Sequence, residues 1–200
     1  MAEHILVIGA GGFVGSRLVQ ALAARGEHVI ALCRHVPGAI GAEAEIHVNP
    51  GRDPADYLPL LRRSRAVVHV ASASTPGSSA ARPLLELDEN LHPTLALLQA
   101  LQDCPATPLV YVSSGGTLYD PKSGNDADEA AMVAPRSYHG AGKIAAEHFI
   151  AAWCSQFDGA ATILRPSNLY GPGQTERAGF GIVPAAFGKL LRGETLHVWG

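Results

Sequence analysis

The chain has 200 residues, 47% of them hydrophobic, with 22 Gly, 14 Pro, 15 Lys plus Arg and 18 Asp plus Glu for a formal charge of -3. That apolar content closes one substantial core, and glycine without a period of three at modest charge excludes collagen, coiled coil and wholesale disorder. Acids and bases are interspersed, so there is no basic field for nucleic acid. The three cysteines, Cys33, Cys104 and Cys154, are widely spaced with no CxxC, so neither a metal site nor a disulfide framework is expected and a cytoplasmic setting fits. The opening MAEHILVIGAGG is neither a basic signal start nor a long apolar span, and no membrane association is expected.

Short β-branched runs alternate with longer Ala/Leu-rich stretches, which predicts an α/β fold: a three-layer Rossmann-type parallel sheet flanked by helices. In chain order, the strand HILVIG (4–9) leads into a glycine turn and the helix SRLVQALAARG (16–26). Strands HVIALC (28–33), AEIHV (44–48) and AVVHVA (66–71) follow. The stretch 82–101 has helical spacing, with Pro93 expected to kink or divide it. After the strand PLVYVS (108–113), the polar, acidic segment 120–137 reads as a long surface loop. The helix 137–157 and the strand AATILR (160–165) come next. Residues 166–181 are turn-rich, and a short helix over 180–193 precedes a final strand ETLHVWG (194–200). The near-continuous apolar character of the strands suits a sheet covered on both faces. The expected division is a dinucleotide-binding domain over 1–166 and the start of a small C-terminal substrate domain over 167–200, within a fragment of a longer protein, because a terminal strand without a following partner is unfinished.

The run GAGGFVG places Gly9, Gly12 and Gly15 three apart, after a strand and before a helix. Glycines there permit a tight turn and close diphosphate approach, and the helix presents free N–H groups and its positive end. Gly9, Gly12, Phe13, Val14 and Gly15 are therefore the candidate dinucleotide contacts. An acid at the end of the second strand would hold the ribose of NAD; Arg34 stands there instead, which keeps NAD and NADP both open and leans toward NADP. Ala71 and Ser72 follow the fourth strand, where small side chains would let a cofactor approach, and His69 reads as a packed strand residue.

The fifth strand ends in YVSSGGTLYD, gathering Ser113, Ser114, Thr117 and Tyr119, whose hydroxyls could orient a substrate or simply satisfy a turn. In HGAGKIAAE, His139 and Lys143 are four apart on one helix face, whereas Tyr138 is turned by about 140° from Lys143. Hydride transfer needs an acid/base near the reacting oxygen and a cation to bias that group and bind the nicotinamide ribose of the cofactor. Lys143 can be the cation, with His139 or Tyr138 as the acid/base.

Taken together, GAGGFVG, VVHVAS, YVSSGGTLY, HGAGKIAAE and ILRPSNLYGPGQ resemble the extended short-chain dehydrogenase/reductase family, in particular its nucleotide-sugar epimerases and dehydratases, over essentially the whole chain. The resemblance implies a Rossmann domain with NAD or NADP, a smaller substrate domain, a homodimer formed through helices, and transient oxidation of a sugar carbon. It also implies that Asn168 helps hold the nucleotide-sugar diphosphate and that Ser114 lies near the substrate. Two departures stand out. The family's YxxxK tyrosine position is occupied by His139, with Tyr138 one place upstream. Its usual Ser or Thr at the third position of SSGGT is Gly115, leaving Ser114 or Thr117 to substitute. No acidic pair follows the serines, which favours an epimerase over a dehydratase; a reductase and a noncatalytic dinucleotide-binding protein are the alternatives. Glu147, His148, Trp153 and Phe157 read as packing or surface residues.

Overall fold

In a computed structural model, residues 3–38, 40–41, 44–120, 127–174, 176 and 181–197 are described. Six strands, β1 (His4–Ile8), β2 (His28–Cys33), β3 (Glu45–Val48), β4 (Ser64–His69), β5 (Leu109–Val112) and β6 (Ala161–Leu164), pair in the order β3-β2-β1-β4-β5-β6. Every pairing is parallel. The order reverses between β1 and β4, the switch point at which an open α/β sheet opens a crevice beyond its carboxyl ends.

Alternation along β1 explains the layers. Leu6 and Ile8 join a core with Ile30, Leu32, Val67, Leu109 and residues of α2 (Pro54–Leu61), α5 (His92–Leu101) and α6 (Tyr138–Phe157). Ile5 and Val7 point to the other face, against Val29, Ala31 and Val19 of α1 (Phe13–Ala23). Both faces are covered at β1 and β2, which carry almost no polar residue after their first position, whereas the edge strands β3 and β6 are half exposed. No helix among the described residues is long and apolar enough to cross a membrane, and no group of His, Cys, Asp or Glu there is placed to hold a metal ion.

The helix α2 is an addition to the elements expected from the sequence. It is set by a reciprocal cap in which the Asp53 carboxylate accepts from Ala55 N at 2.8 Å and the Asp56 carboxylate accepts from Asp53 N at 3.1 Å, with Pro54 in the first turn. The expected helix over 82–101 is α4 (Pro83–Glu86), a π-helical turn over Leu87–Leu91, and α5, preceded by the short α3 (Pro76–Ser79). Pro93 has no N–H to give and crowds the carbonyl four residues back. The wide turn just before it makes that room, and the Thr94 hydroxyl donates to Asn90 O at 2.8 Å. Ser137 caps α6 by accepting from Gly140 N at 3.0 Å, and the helix stops at Asp158 in the left-handed conformation. Residues 182–191 form α7. The expected last strand is irregular over 194–197, and 198–200, with 121–126 of the acidic loop, lie outside the described residues.

Candidate functional site

The glycine turn sits at the switch point. Gly9 has φ +88°, and a Cβ on it would lie 2.6 Å from the backbone of Ala71; one on Gly15 would lie 2.1 Å from Gly9 O. The turn, the start of α1 and the segment after β4 thus approach so closely that only glycine fits. Gly12 caps α1 without a side chain, and the first turn of α1, Phe13 and Val14 included, carries no acid. Its leading N–H groups and positive end are left for an anion. Arg17 on the same helix donates to Pro172 O at 3.0 and 3.2 Å, which draws the 171–173 loop over the helix start.

At the end of β2, Arg34 pairs with Glu89 at 3.1 Å, and Arg52 binds the same carboxylate. The guanidinium expected to be free for a phosphate is therefore engaged. Cys33 beside it is buried, which pushes its thiol pKa up.

Beyond β4 and β5 lies a buried polar cluster. Lys143 is 5% exposed, donates to Val112 O at 2.9 Å and lies 4.8 Å from the Tyr111 ring centre. Burial brings its pKa down to about 8, although Glu86 and Glu147 favour its charge. His139 is also buried, its amide donating to Ser79 Oγ at 3.2 Å and its Nδ1 lying 2.9 Å from Ser74 Oγ. Burial, with the Lys143 charge, lowers its pKa to about 4, so the imidazole is neutral at pH 7. Ser74 also donates to Glu86, a buried carboxyl whose pKa burial raises. A second carboxylate, Glu147, accepts from the Ser113 hydroxyl and from Arg165 at 2.6, 3.1 and 3.2 Å. Arg165 extends this chain to the Tyr119 hydroxyl at 3.1 Å.

The site residues read from the sequence fall into two groups. His139 and Lys143 share the cluster, as their spacing of four requires. Tyr138 lies 48% exposed at the start of α6, and its hydroxyl makes no hydrogen bond among the described residues. Thr117 donates to Ser114 Oγ at 2.9 Å, a turn beside the cluster. Asn168 is exposed on the strand-to-loop exit after β6. Gly115 cannot be other than glycine: a Cβ there would lie 2.6 Å from Arg165 O. His69 is buried, 3.4 Å from Thr94 Oγ1 and 5.3 Å from the Tyr111 ring, with its pKa lowered to about 3 by burial.

Sequence reasoning misses Ser74, Glu86 and Asn90, and it places Glu147 among packing or surface residues although the side chain is a buried ion-pair partner. No sequence signal singles them out, because Glu86 and Asn90 sit in the polar run Glu86-Leu87-Asp88-Glu89-Asn90.

The family model described as the NAD dependent epimerase/dehydratase family matches residues 5–200. A UDP-glucose 4-epimerase of Mycolicibacterium smegmatis is 28% identical over 98% of this chain and 65% of its own length. The crystal structure of the UDP-glucose 4-epimerase of Thermotoga maritima with UDP-glucose superposes with a TM-score of 0.87 at 26% identity, covering 98% of this chain and 66% of that one. That of the Thermus thermophilus enzyme in complex with NAD gives 0.86 at 29%, covering 96% and 64%. The chain thus spans about two thirds of the length of these relatives.

Proposed function

Since the chain belongs to the NAD dependent epimerase/dehydratase family, we propose that it serves as the dinucleotide-binding part of a nucleotide-sugar epimerase, and that residues 1–166 carry the cofactor while 167–200 begin the substrate side. The observation that carries the reading is the glycine cradle at the switch point with a buried, neutral imidazole and a buried lysine beyond the neighbouring strands.

The residues present fit a dinucleotide. Gly9 and Gly15 let the turn close tightly on Ala71 and on the start of α1, Gly12 opens that helix without a side chain over its free amides, Phe13 and Val14 form its first turn, and Ala71 offers a small side chain. Glu89 occupies the guanidinium of Arg34, which opposes the extra phosphate of NADP and supports NAD. When bound, NAD supplies a reversible hydride acceptor. Lys143 supplies the cation beside the reacting centre. His139, neutral at pH 7, would take the proton of the sugar hydroxyl and return it to the oxygen when the hydroxyl is re-formed. Ser114, Thr117 and Asn168 are the proposed contacts of the nucleotide sugar. Tyr138 is the alternative acid/base, and a homodimer through helices is the assembly that the family resemblance suggests.

Incubation of the protein with NAD and UDP-glucose, the ligand of the Thermotoga relative, tests this. Epimerisation predicts a C4 epimer with total NADH unchanged. Net consumption of cofactor would make it a reductase, and NAD binding without turnover across nucleotide sugars would make it a noncatalytic binder. Full turnover by both His139→Ala and Tyr138→Phe would overturn both acid/base assignments.

A further inference from the structure

We propose that Glu86 is a positioning residue for His139: through the Ser74 hydroxyl, its carboxylate fixes the imidazole as the Nδ1–H tautomer and leaves the Nε2 lone pair to accept a proton. This rests on the reading of His139 as the acid/base, but its geometry stands apart from it.

Proton counting at Ser74 carries the inference. The Asn90 carbonyl accepts from the backbone N–H of Ala73 at 2.7 Å, which fixes the orientation of that amide. Its NH2 group then donates one hydrogen to Ser74 Oγ and one to Glu86 Oε1, each at 2.9 Å. A hydroxyl has one proton and two acceptor positions. Asn90 fills one acceptor position of Ser74, and with Glu86 as the carboxylate, the form that the Asn90 NH2 group and the Lys143 charge favour against burial, the serine proton goes to Oε2. Only the second acceptor position is left for His139 Nδ1, 2.9 Å away, so Nδ1 must be the donor. Nε2 has no hydrogen-bond partner among the described residues, while the imidazole side chain keeps 10% of its surface exposed. The arrangement has the logic of a carboxylate that sets the tautomer of a catalytic histidine, with a serine interposed.

The backbone is built around this carboxylate. A Cβ on Gly142 of α6 would lie 2.6 Å from Glu86 Cγ and 2.7 Å from Oε1, so α6 keeps a glycine where Glu86 enters. The π-helical turn brings Glu86 and Asn90 to Ser74 from the same side. The charged groups facing the imidazole are Glu86 from α4, with Oε1 3.9 Å from Nδ1, and Lys143 from its own helix; Glu147, one turn on, acts on Lys143. Ser79 of α3 faces only the His139 amide.

Glu86→Gln reverses the count. Asn90 still needs an oxygen at the Oε1 position, so the new NH2 group faces Ser74, the serine proton turns to Nδ1, and His139 becomes the Nε2–H tautomer. Long-range 1H–15N correlation on the 15N-labelled chain reads this directly, with His139→Gln to assign the signal. The wild type is expected to show a protonated Nδ1 at neutral pH, and Glu86→Gln a protonated Nε2. With an active wild type, kcat is expected to fall by about a hundredfold or more in Glu86→Gln, with little change in KM. Ser74→Ala should remove the tautomer preference without a change in Glu86. A wild-type Nε2–H tautomer, or one that Glu86→Gln leaves unchanged, overturns the proposal. A reversed tautomer with turnover unaffected upholds the positioning and instead refutes His139 as the acid/base.

Discussion

Gly15→Ala probes the closest contact in the cofactor cradle. The added Cβ would lie 2.1 Å from Gly9 O and 2.8 Å from Gly9 C and Ala10 Cα, all backbone atoms. Relief requires α1 to move away from β1 by about 1 Å, since neither neighbour can rotate aside. Overpacking of this kind costs about 1–3 kcal/mol, here at the upper end. Alanine regains about 1 kcal/mol of helix propensity over glycine. The net loss is then about 2 kcal/mol, and at this chain length Tm should fall by about 4–8 °C. A shifted helix start also misaims the N–H groups left for the diphosphate, and loss of about 1.4 kcal/mol there raises the Kd for NAD about tenfold. Thermal unfolding by circular dichroism and fluorescence titration with NADH measure the two effects. Gly26→Ala is the control: its φ of +77° strains an alanine, but nothing lies within 4 Å of the new Cβ, so NADH binding should not change. If Gly15→Ala melts within a degree of wild type and binds NADH equally well, the close approach of turn and helix does not exist.

The pH dependence of kcat/KM should show a plateau, because the competent form pairs a neutral His139 with a charged Lys143. Activity is expected to fall below about pH 4, as His139 protonates, and above about pH 8, as Lys143 loses its proton; a single limb near pH 6.5 would contradict the burial of His139. Stability follows the same sign: between about pH 6.5 and 4 the unfolded chain binds the His139 proton and the folded one does not, so denaturant midpoints should drop as pH falls through that window. Arg165→Ala leaves the Glu147 carboxylate buried with Ser113 and should cost about 3 kcal/mol, read as a lower urea midpoint, with part regained in the double variant with Glu147→Gln. No recovery in the double variant would show that Arg165 acts through something other than Glu147.

The central strands are legible in the sequence as short apolar runs covered on both faces, the edge strands β3 and β6 as short runs rich in β-branched residues although they are half exposed, and α1 and α6 because they are long. The helix α2 is hidden since DPADYLPLL holds two prolines, yet Pro54 sits in the first turn where no N–H is needed and Asp53 caps it. The glycine turn is legible as spacing, whereas the reason for it, contact with Ala71 and with its own carbonyl, is a tertiary fact. Lys143 and His139 can be paired from their spacing of four. Ser74 and Glu86 cannot, because they come from different segments and meet His139 only once α3, α4 and α6 are packed. Arg34 reads as a free cation for the same reason: Glu89 lies 55 residues away.

The π-helical turn between α4 and α5 has a consequence for how this site can vary. Downstream of it, the rotational phase of α5 is dictated by the apolar layer, where Ala96, Leu97, Ala100 and Leu101 are buried. Upstream, the phase of α4 answers to Ser74 and His139. The inserted residue acts as a phase shifter between two halves of one rod. Its deletion would turn α4 by about 100° about the axis and carry the Glu86 carboxylate away from the imidazole while the apolar layer stayed intact. Chemistry at this end of the sheet can therefore be retuned by a change in helical winding, independently of the interior that holds the fold together.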